Sequence, residues 1–289
     1  MDLSSLEKIS SHEFQRFSQF LDSHSTKTFE APDGPVTYSV SGAGEPPVLM
    51  FAGGWGGPEL GYETILGIEG RNRVIVIDIG TINTPKMMAE ITDRILEVEK
   101  IKDVILVGQS MSGILAQVFF RERRDRIRGM ILTNTPAPRK KKARKWALVL
   151  LKLTPLSLFK KLAARALKRL SRTEKELSAE TREILAFKRA FTSLMFQRYV
   201  TRKKFLAALH LAFALSDKGD YMEEELRDWA GTLFVITSDD EPYHRDVVLF
   251  QTFFPRCEVH KLPTGFGHIA PQVFREEFFD TIRTFLRQF

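Results

Sequence analysis

The stretch Val104-Ile105-Leu106-Val107-Gly108-Gln109-Ser110-Met111-Ser112-Gly113 decides how the rest of the chain is read. An apolar run too short for a membrane span stops abruptly in small residues around one serine. Beyond it, Ile114, Leu115, Val118 and Phe119 recur at helix-face spacing. The pattern predicts a strand, a tight turn and a helix, with Ser110 at the apex. Small neighbours are needed there because backbone and sheet crowd the serine from both sides. Such a turn lifts the hydroxyl clear of the sheet and aims the following amide into the same space.

Upstream, Val74 to Ile77 is a buried-strand candidate ending in Asp78. Thr84 and Pro85 then cap and open a helix whose face is Met88, Ile91, Ile95 and Val98. Pro47 to Phe51 is another buried strand, followed by Ala52-Gly53-Gly54-Trp55-Gly56-Gly57, where glycines let the backbone approach a ligand. Nearer the start, residues 10–21 form an amphipathic helix in which Ser10 and Glu13 have capping-box spacing and Phe14, Phe17 and Leu21 line one face. Residues 26–42 read as two strands around Pro32-Asp33-Gly34-Pro35. Downstream, Ile127 to Leu132 is a strand closed by Asn134-Thr135-Pro136-Ala137-Pro138. The strand pattern then vanishes until Thr232 to Ile236, and a last strand spans Cys257 to Leu262. Pro271 opens a final helix with a stripe of Phe274, Phe278, Ile282, Phe285 and Phe289. Continuous apolar strands alternating with helices imply a mostly parallel sheet covered on both faces.

A chain of 289 residues with 43% apolar content can bury one large core and carry an insertion. The single cysteine, Cys257, excludes an internal disulfide and a cysteine-rich metal site. Met1-Asp2-Leu3-Ser4 leads into polar sequence without a basic start or apolar stretch, and no apolar run approaches membrane-span length. The expectation is a soluble cytoplasmic protein.

With a G-x-S-x-G-like turn between strand and helix, the chain resembles the α/β-hydrolase superfamily, Ser112 standing where the pattern has its last glycine. The resemblance implies an N-terminal helix (1–25), a hydrolase core (26–137 and 230–289) and an inserted all-helical cap (138–229). It makes Ser110 the nucleophile. The glycine loop after the third strand would supply one oxyanion donor, best matched by Gly54 with Trp55 as neighbour, and the amide of Met111 the other. The family's acid lies just beyond the strand that ends in Thr237-Ser238-Asp239-Asp240-Glu241-Pro242. Counting from the strand start favours Asp240, the spacing to Pro242 favours Glu241, and Asp239 reads rather as a solvated loop carboxylate. His268, in the loop Pro263-Thr264-Gly265-Phe266-Gly267-His268, occupies the place of the general base. Asp78 is assigned to bracing its own loop. His260 lies within a strand, and His210 and His244 have no matching loop.

The expected cap carries unusual charge. No acidic residue occurs between Asp125 and Glu174, and Arg139-Lys140-Lys141-Lys142-Ala143-Arg144-Lys145 is nearly solid positive charge within a net +7 chain. Along 156–170, Leu156, Phe159, Leu162, Ala163, Ala166, Leu167 and Leu170 share one helical face and Lys161, Arg165, Lys168 and Arg169 the other. Such a segment either covers the core with its lysines in water or, through 139–170, touches an anionic membrane surface. No nucleic-acid-binding motif accompanies the charge. The implied reaction is acyl transfer from a lipophilic carboxylic ester, needing no metal or organic cofactor. The competing expectation is a hydrolase-like scaffold that binds a lipid, a membrane surface or a protein without turnover. It is prompted by Ala52 where relatives have histidine, by Ser112, and by the run Asp239-Asp240-Glu241.

Overall fold

The computed structural model describes residues 4–32, 34–53, 57–139, 177–221 and 228–289, together with 154, 155, 157, 158, 161, 165 and 226. An eight-stranded sheet forms its centre: β1 (Thr26–Ala31), β2 (Gly34–Ser41), β3 (Val48–Phe51), β4 (Val74–Ile77), β5 (Val104–Gln109), β6 (Ile127–Thr133), β7 (Thr232–Thr237) and β8 (Cys257–Lys261). Their spatial order is β1-β2-β4-β3-β5-β6-β7-β8. β2 runs antiparallel to β1 and β4, and every later pairing is parallel. The central strands are buried on both faces, which is why Val48–Phe51, Val74–Ile77 and Val104–Val107 carry unbroken apolar runs instead of alternation.

Two cores result. One face of the sheet packs against the helices Pro85–Val98 and Met111–Arg123 through Leu49, Ile75, Leu106, Ile95 and Phe119. The other receives the N-terminal helix Ser11–Ser23 and the C-terminal helix Arg275–Leu286 through Val48, Val74, Ile105, Phe17, Ile282 and Phe285. Ser10 caps the N-terminal helix by accepting the Glu13 N–H, as the sequence predicts, whereas the Glu13 carboxylate is turned to Arg275. Its buried apolar face is Phe17 and Phe20 rather than Leu21, which is 38% exposed. Likewise Val98 is exposed although Leu96 and Glu99 beside it are buried, so it sits at the rim of its helix's covered face. The expected single C-terminal helix is two, Ala270–Val273 and Arg275–Leu286, broken at Phe274 (φ −102°, ψ 48°).

Between β6 and β7 the described residues include the helices Ala179–Tyr199 and Arg202–Lys218. The first lowers Phe187 and Phe191 into an aromatic group in which Phe17, Tyr62 and Phe191 meet edge to face at 4.7–5.3 Å. Each such pair contributes about 0.5–1.5 kcal/mol beyond area burial. The second lays Ala208, Leu211 and Leu215 into the core beside the Met111–Arg123 helix. Ion pairs tie both to the core: Lys188 to Glu63, and Lys204 Nζ to Asp78 Oδ2 at 2.6 Å. Asp78 Oδ1 accepts the Gly80 N–H at 2.9 Å, the loop-bracing role read from sequence. The basic run 140–145 and nearly all of 156–170 lie outside the described residues. None of the described helices is long and apolar enough to cross a membrane.

Candidate active site

Ser110 links the C-terminal end of β5 to the helix Met111–Arg123 with φ 54° and ψ −120°, a conformation that costs a non-glycine residue about 1–3 kcal/mol. Its surroundings hold it there. The Ser110 N–H donates to the Thr133 carbonyl at 3.0 Å, and the Ile114 N–H donates to the Ser110 carbonyl at 3.1 Å. The turn is so tight that a Cβ on Gly108 would lie 2.6 Å from the Gly113 Cα, and one on Gly113 would lie 2.8 Å from the Thr135 side chain. Gly108 and Gly113 are therefore the glycines the turn requires. Ser112 has its own partner: its hydroxyl donates to the Phe51 carbonyl at 2.6 Å, tying the first turn of the helix to the end of β3.

His268 follows the loop after β8, in which Gly265 (φ 99°) and Gly267 (φ 49°) both adopt the left-handed backbone. Its Nδ1 lies 2.8 Å from Glu241 Oε1. Glu241 is fully buried, and its other oxygen accepts the Tyr243 N–H. The imidazole thus faces a carboxylate through Nδ1, which directs Nε2 elsewhere.

Of the three carboxylates that the sequence offers, Asp240, favoured by counting from the strand, faces the loop backbone instead of the imidazole. Asp240 Oδ2 accepts the N–H groups of Gly265 at 2.9 Å and Gly267 at 2.8 Å, so this carboxylate clamps the histidine loop and does not meet the imidazole. Burial opposes its ionisation, but hydrogen bonds from Gly267, Ser238 and Gly265 outweigh that and hold its carboxyl below the usual range. Asp239 is exposed and paired with Lys261 at 2.7 Å. A backbone turn, Glu241 N–H to Ser238 carbonyl at 3.1 Å, swings the third carboxylate of the run inward. The His244 Nδ1 reaches the Glu241 main-chain carbonyl at 2.6 Å, not its carboxylate.

Ser110 and His268 line one cavity of about 290 Å³. Met50, Leu60, Val107, Phe196 and Phe278 give it apolar walls, while Thr64, Thr192 and Gln272 add polar groups that the sequence did not mark. Thr192 and Phe196 come from the helix Ala179–Tyr199, which therefore borders the cavity. Met111, the first residue of its helix, also lines it, and first-turn N–H groups have no intrahelical partner. Gly53 (φ 70°) lies at the cavity wall, whereas Gly54 and Trp55 lie outside the described residues. Among the described residues no cluster of three or more His, Cys, Asp or Glu side chains is arranged to hold a metal ion.

Residues 46–269 match the family model of the α/β-hydrolase fold. The chain belongs to that family. Its topology agrees: a mostly parallel eight-stranded sheet with the candidate nucleophile immediately after β5. Among solved structures, this α/β-hydrolase is similar to carboxylesterase CesB from Bacillus subtilis, with TM-score 0.65, 14% identity, and 96% of this chain and 98% of that one covered. A thermophilic esterase from Thermogutta terrifontis gives TM-score 0.66, 19% identity and coverage of 92% and 98%. A membrane phospholipase A described as a bacterial virulence factor gives TM-score 0.66, 13% identity and coverage of 97% and 90%. At these identities the likeness is one of fold. No curated protein matches the chain in sequence.

Proposed function

We propose that this α/β-hydrolase is a serine hydrolase that cleaves lipophilic carboxylic esters through an acyl-enzyme, with Ser110 as nucleophile, His268 as general base and Glu241 as the acid that orients it. The observation that carries the reading is the buried Glu241–His268 pair, which opens onto the same cavity as a serine held in a strained strand-to-helix turn. With the Nδ1 proton donated to Glu241, Nε2 takes the Ser110 proton as Oγ attacks the ester carbonyl carbon. The tetrahedral oxyanion is received by the Met111 amide and, by family resemblance, Gly54. Each such donor is worth about 3–4 kcal/mol at the transition state. Collapse expels the alcohol, which takes the proton from Nε2. A water molecule then gives a proton to Nε2 and attacks the acyl carbon, releasing the acid and returning Ser110.

The apolar walls supply the reason for a lipophilic acyl or alcohol group. A volume of about 290 Å³ sits at the small end of ligand pockets, about 300–1,000 Å³, and favours compact esters. The esterases among structurally similar proteins support the same class of bond. Contact with an anionic membrane surface through 139–170 rests on the charge pattern alone.

A serine-directed fluorophosphonate probe tests the reading. Labelling of the native protein should vanish in Ser110→Ala and in His268→Ala, and a panel of esters should show preference for short, uncharged acyl chains. Failure of the folded native protein to label would favour the non-catalytic scaffold. Equal rates across the ester panel would remove the basis for the substrate class.

A further inference from the structure

The strand β6 lies between β5, which carries Ser110, and β7, which leads to Glu241. Where β6 ends, two consecutive side chains reach two different parts of the site. The Thr135 hydroxyl donates to the main-chain carbonyl of Ser110 at 2.9 Å. The Asn134 Nδ2 donates to the main-chain carbonyl of His268 at 3.0 Å. Asn134 and Thr135 are almost fully buried, at 3% and 5% exposure respectively. Asn134 adopts φ 46°, a left-handed conformation that asparagine tolerates better than most residues. Its own N–H donates to the Ile236 carbonyl on β7 at 3.3 Å, and the Thr135 side chain abuts Gly113 in the first turn of the nucleophile's helix. Neither motif in the sequence nor the reaction proposed above uses this pair.

We infer that Asn134 and Thr135 are positioning residues: a yoke at the end of β6 that fixes the backbone of Ser110 relative to that of His268, and with it the approach of Nε2 to the serine hydroxyl. The two residues do not touch substrate. They act on main-chain carbonyls, so the yoke restrains the two backbones and leaves rotation about their own bonds to the reacting side chains. Without it, the histidine loop is still held by Asp240 and the turn by Gly108 and Gly113, and the two are related through the strand ladders, which reach Ser110 and His268 less directly than the two side chains do. The inference rests on the reading of Ser110 and His268 as nucleophile and base.

Four variants of the full chain test it. Thr135→Val keeps the shape against Gly113 and deletes the donor, while Thr135→Ser keeps the donor. Asn134→Gly keeps the left-handed backbone comfortable and deletes the amide. Asn134→Asp sets a carboxylate against the His268 carbonyl. The readouts are kcat and KM on a p-nitrophenyl ester, the second-order rate of fluorophosphonate labelling, and the downfield proton resonance of the His268–Glu241 hydrogen bond. Thr135→Val, Asn134→Gly and Asn134→Asp should each lower kcat and labelling by about 10–100-fold at nearly unchanged KM, the scale of a misplacement of about 1 Å. Thr135→Ser should recover most of the loss, and both Asn134 variants should shift or broaden the imidazole resonance. Wild-type kcat in folded Thr135→Val and Asn134→Gly would overturn the inference. If the native protein neither labels nor turns over, the functional reading fails, and the yoke is judged on the resonance alone: an unshifted signal in both Asn134 variants would overturn it.

Discussion

The sharpest consequence of the geometry is a contrast between two neighbouring carboxylates. In Glu241→Gln the side chain keeps its size but loses its charge and one acceptor. If the amide oxygen takes the Tyr243 N–H, the amide nitrogen faces His268 Nδ1, now 2.8 Å from a carboxylate oxygen. Nδ1 must then accept, the proton moves to Nε2, and the imidazole can no longer receive the serine proton. The reverse orientation sets the amide nitrogen against the Tyr243 N–H in a fully buried position, so neither arrangement satisfies every donor. Reversing the tautomer of a catalytic imidazole costs about 10³–10⁴ in kcat in the serine-protease precedent, or about 4–5.5 kcal/mol at the transition state. Asp240→Asn differs in kind. Its oxygen can still accept from Gly265 and Gly267, which leaves the loop in place, and a loss below about tenfold, about 1.4 kcal/mol, is expected. Steady-state kcat and KM for both variants on one ester, with melting temperatures to confirm folding, separate the cases by about two orders of magnitude. A folded Glu241→Gln enzyme within tenfold of wild type, beside an Asp240→Asn enzyme reduced about 10³-fold, would refute the assignment.

Further outcomes follow from other contacts. Lys204→Met leaves the buried Asp78 carboxylate with the Gly80 N–H as its one hydrogen-bond donor among the described residues, and because Lys204 is itself partly exposed the expected loss is about 1–3 kcal/mol by urea denaturation, largely absent in an Asp78→Asn background. Burial raises the Glu63 carboxyl, but Lys188 and Arg275 outweigh it and hold its pKa below the ordinary 4.5. A depressed carboxylate stabilises the fold above the ordinary value and ceases to do so as pH falls through the lower, folded value. The stability gap between wild type and Glu63→Gln should therefore be widest near neutrality and narrow below about pH 4.5, and a gap independent of pH in acid unfolding curves would count against the network. Burial, with Glu258 beside it, pushes the Cys257 thiol up to about 12. Alkylation at about pH 8 should be slow in the native protein and fast in denaturant, and equal rates would contradict the burial.

What could be read ahead of the structure was what is local in the chain. Unbroken apolar runs identify doubly covered strands, and Ser10, Thr84 and Pro85 mark helix starts because a cap bonds within three residues of itself. Ser110 and His268 stand out for the same reason, each flanked by glycines that the backbone needs. Leu21 and Val98 fit the helical period yet are exposed while Phe20, Leu96 and Glu99 beside them are buried, since periodicity marks a face and not how wide its covered stripe is. The run Asp239-Asp240-Glu241 was undecidable by counting because the answer lies in one turn: the bond from Glu241 to Ser238 sends three adjacent carboxylates to solvent, to the histidine loop and to the imidazole. Ser112 looked like a defect in a glycine pattern, but its partner, the Phe51 carbonyl, lies 61 positions away. Asn134 was legible only as the end of a strand, and its partner is 134 positions distant. Such bonds join a side chain to a main-chain carbonyl, which every residue type possesses, so the partner leaves no mark in the sequence. The candidate reactive groups of this site are therefore announced by their neighbours, while the residues whose side chains reach their carbonyls emerge only when the strands are laid side by side.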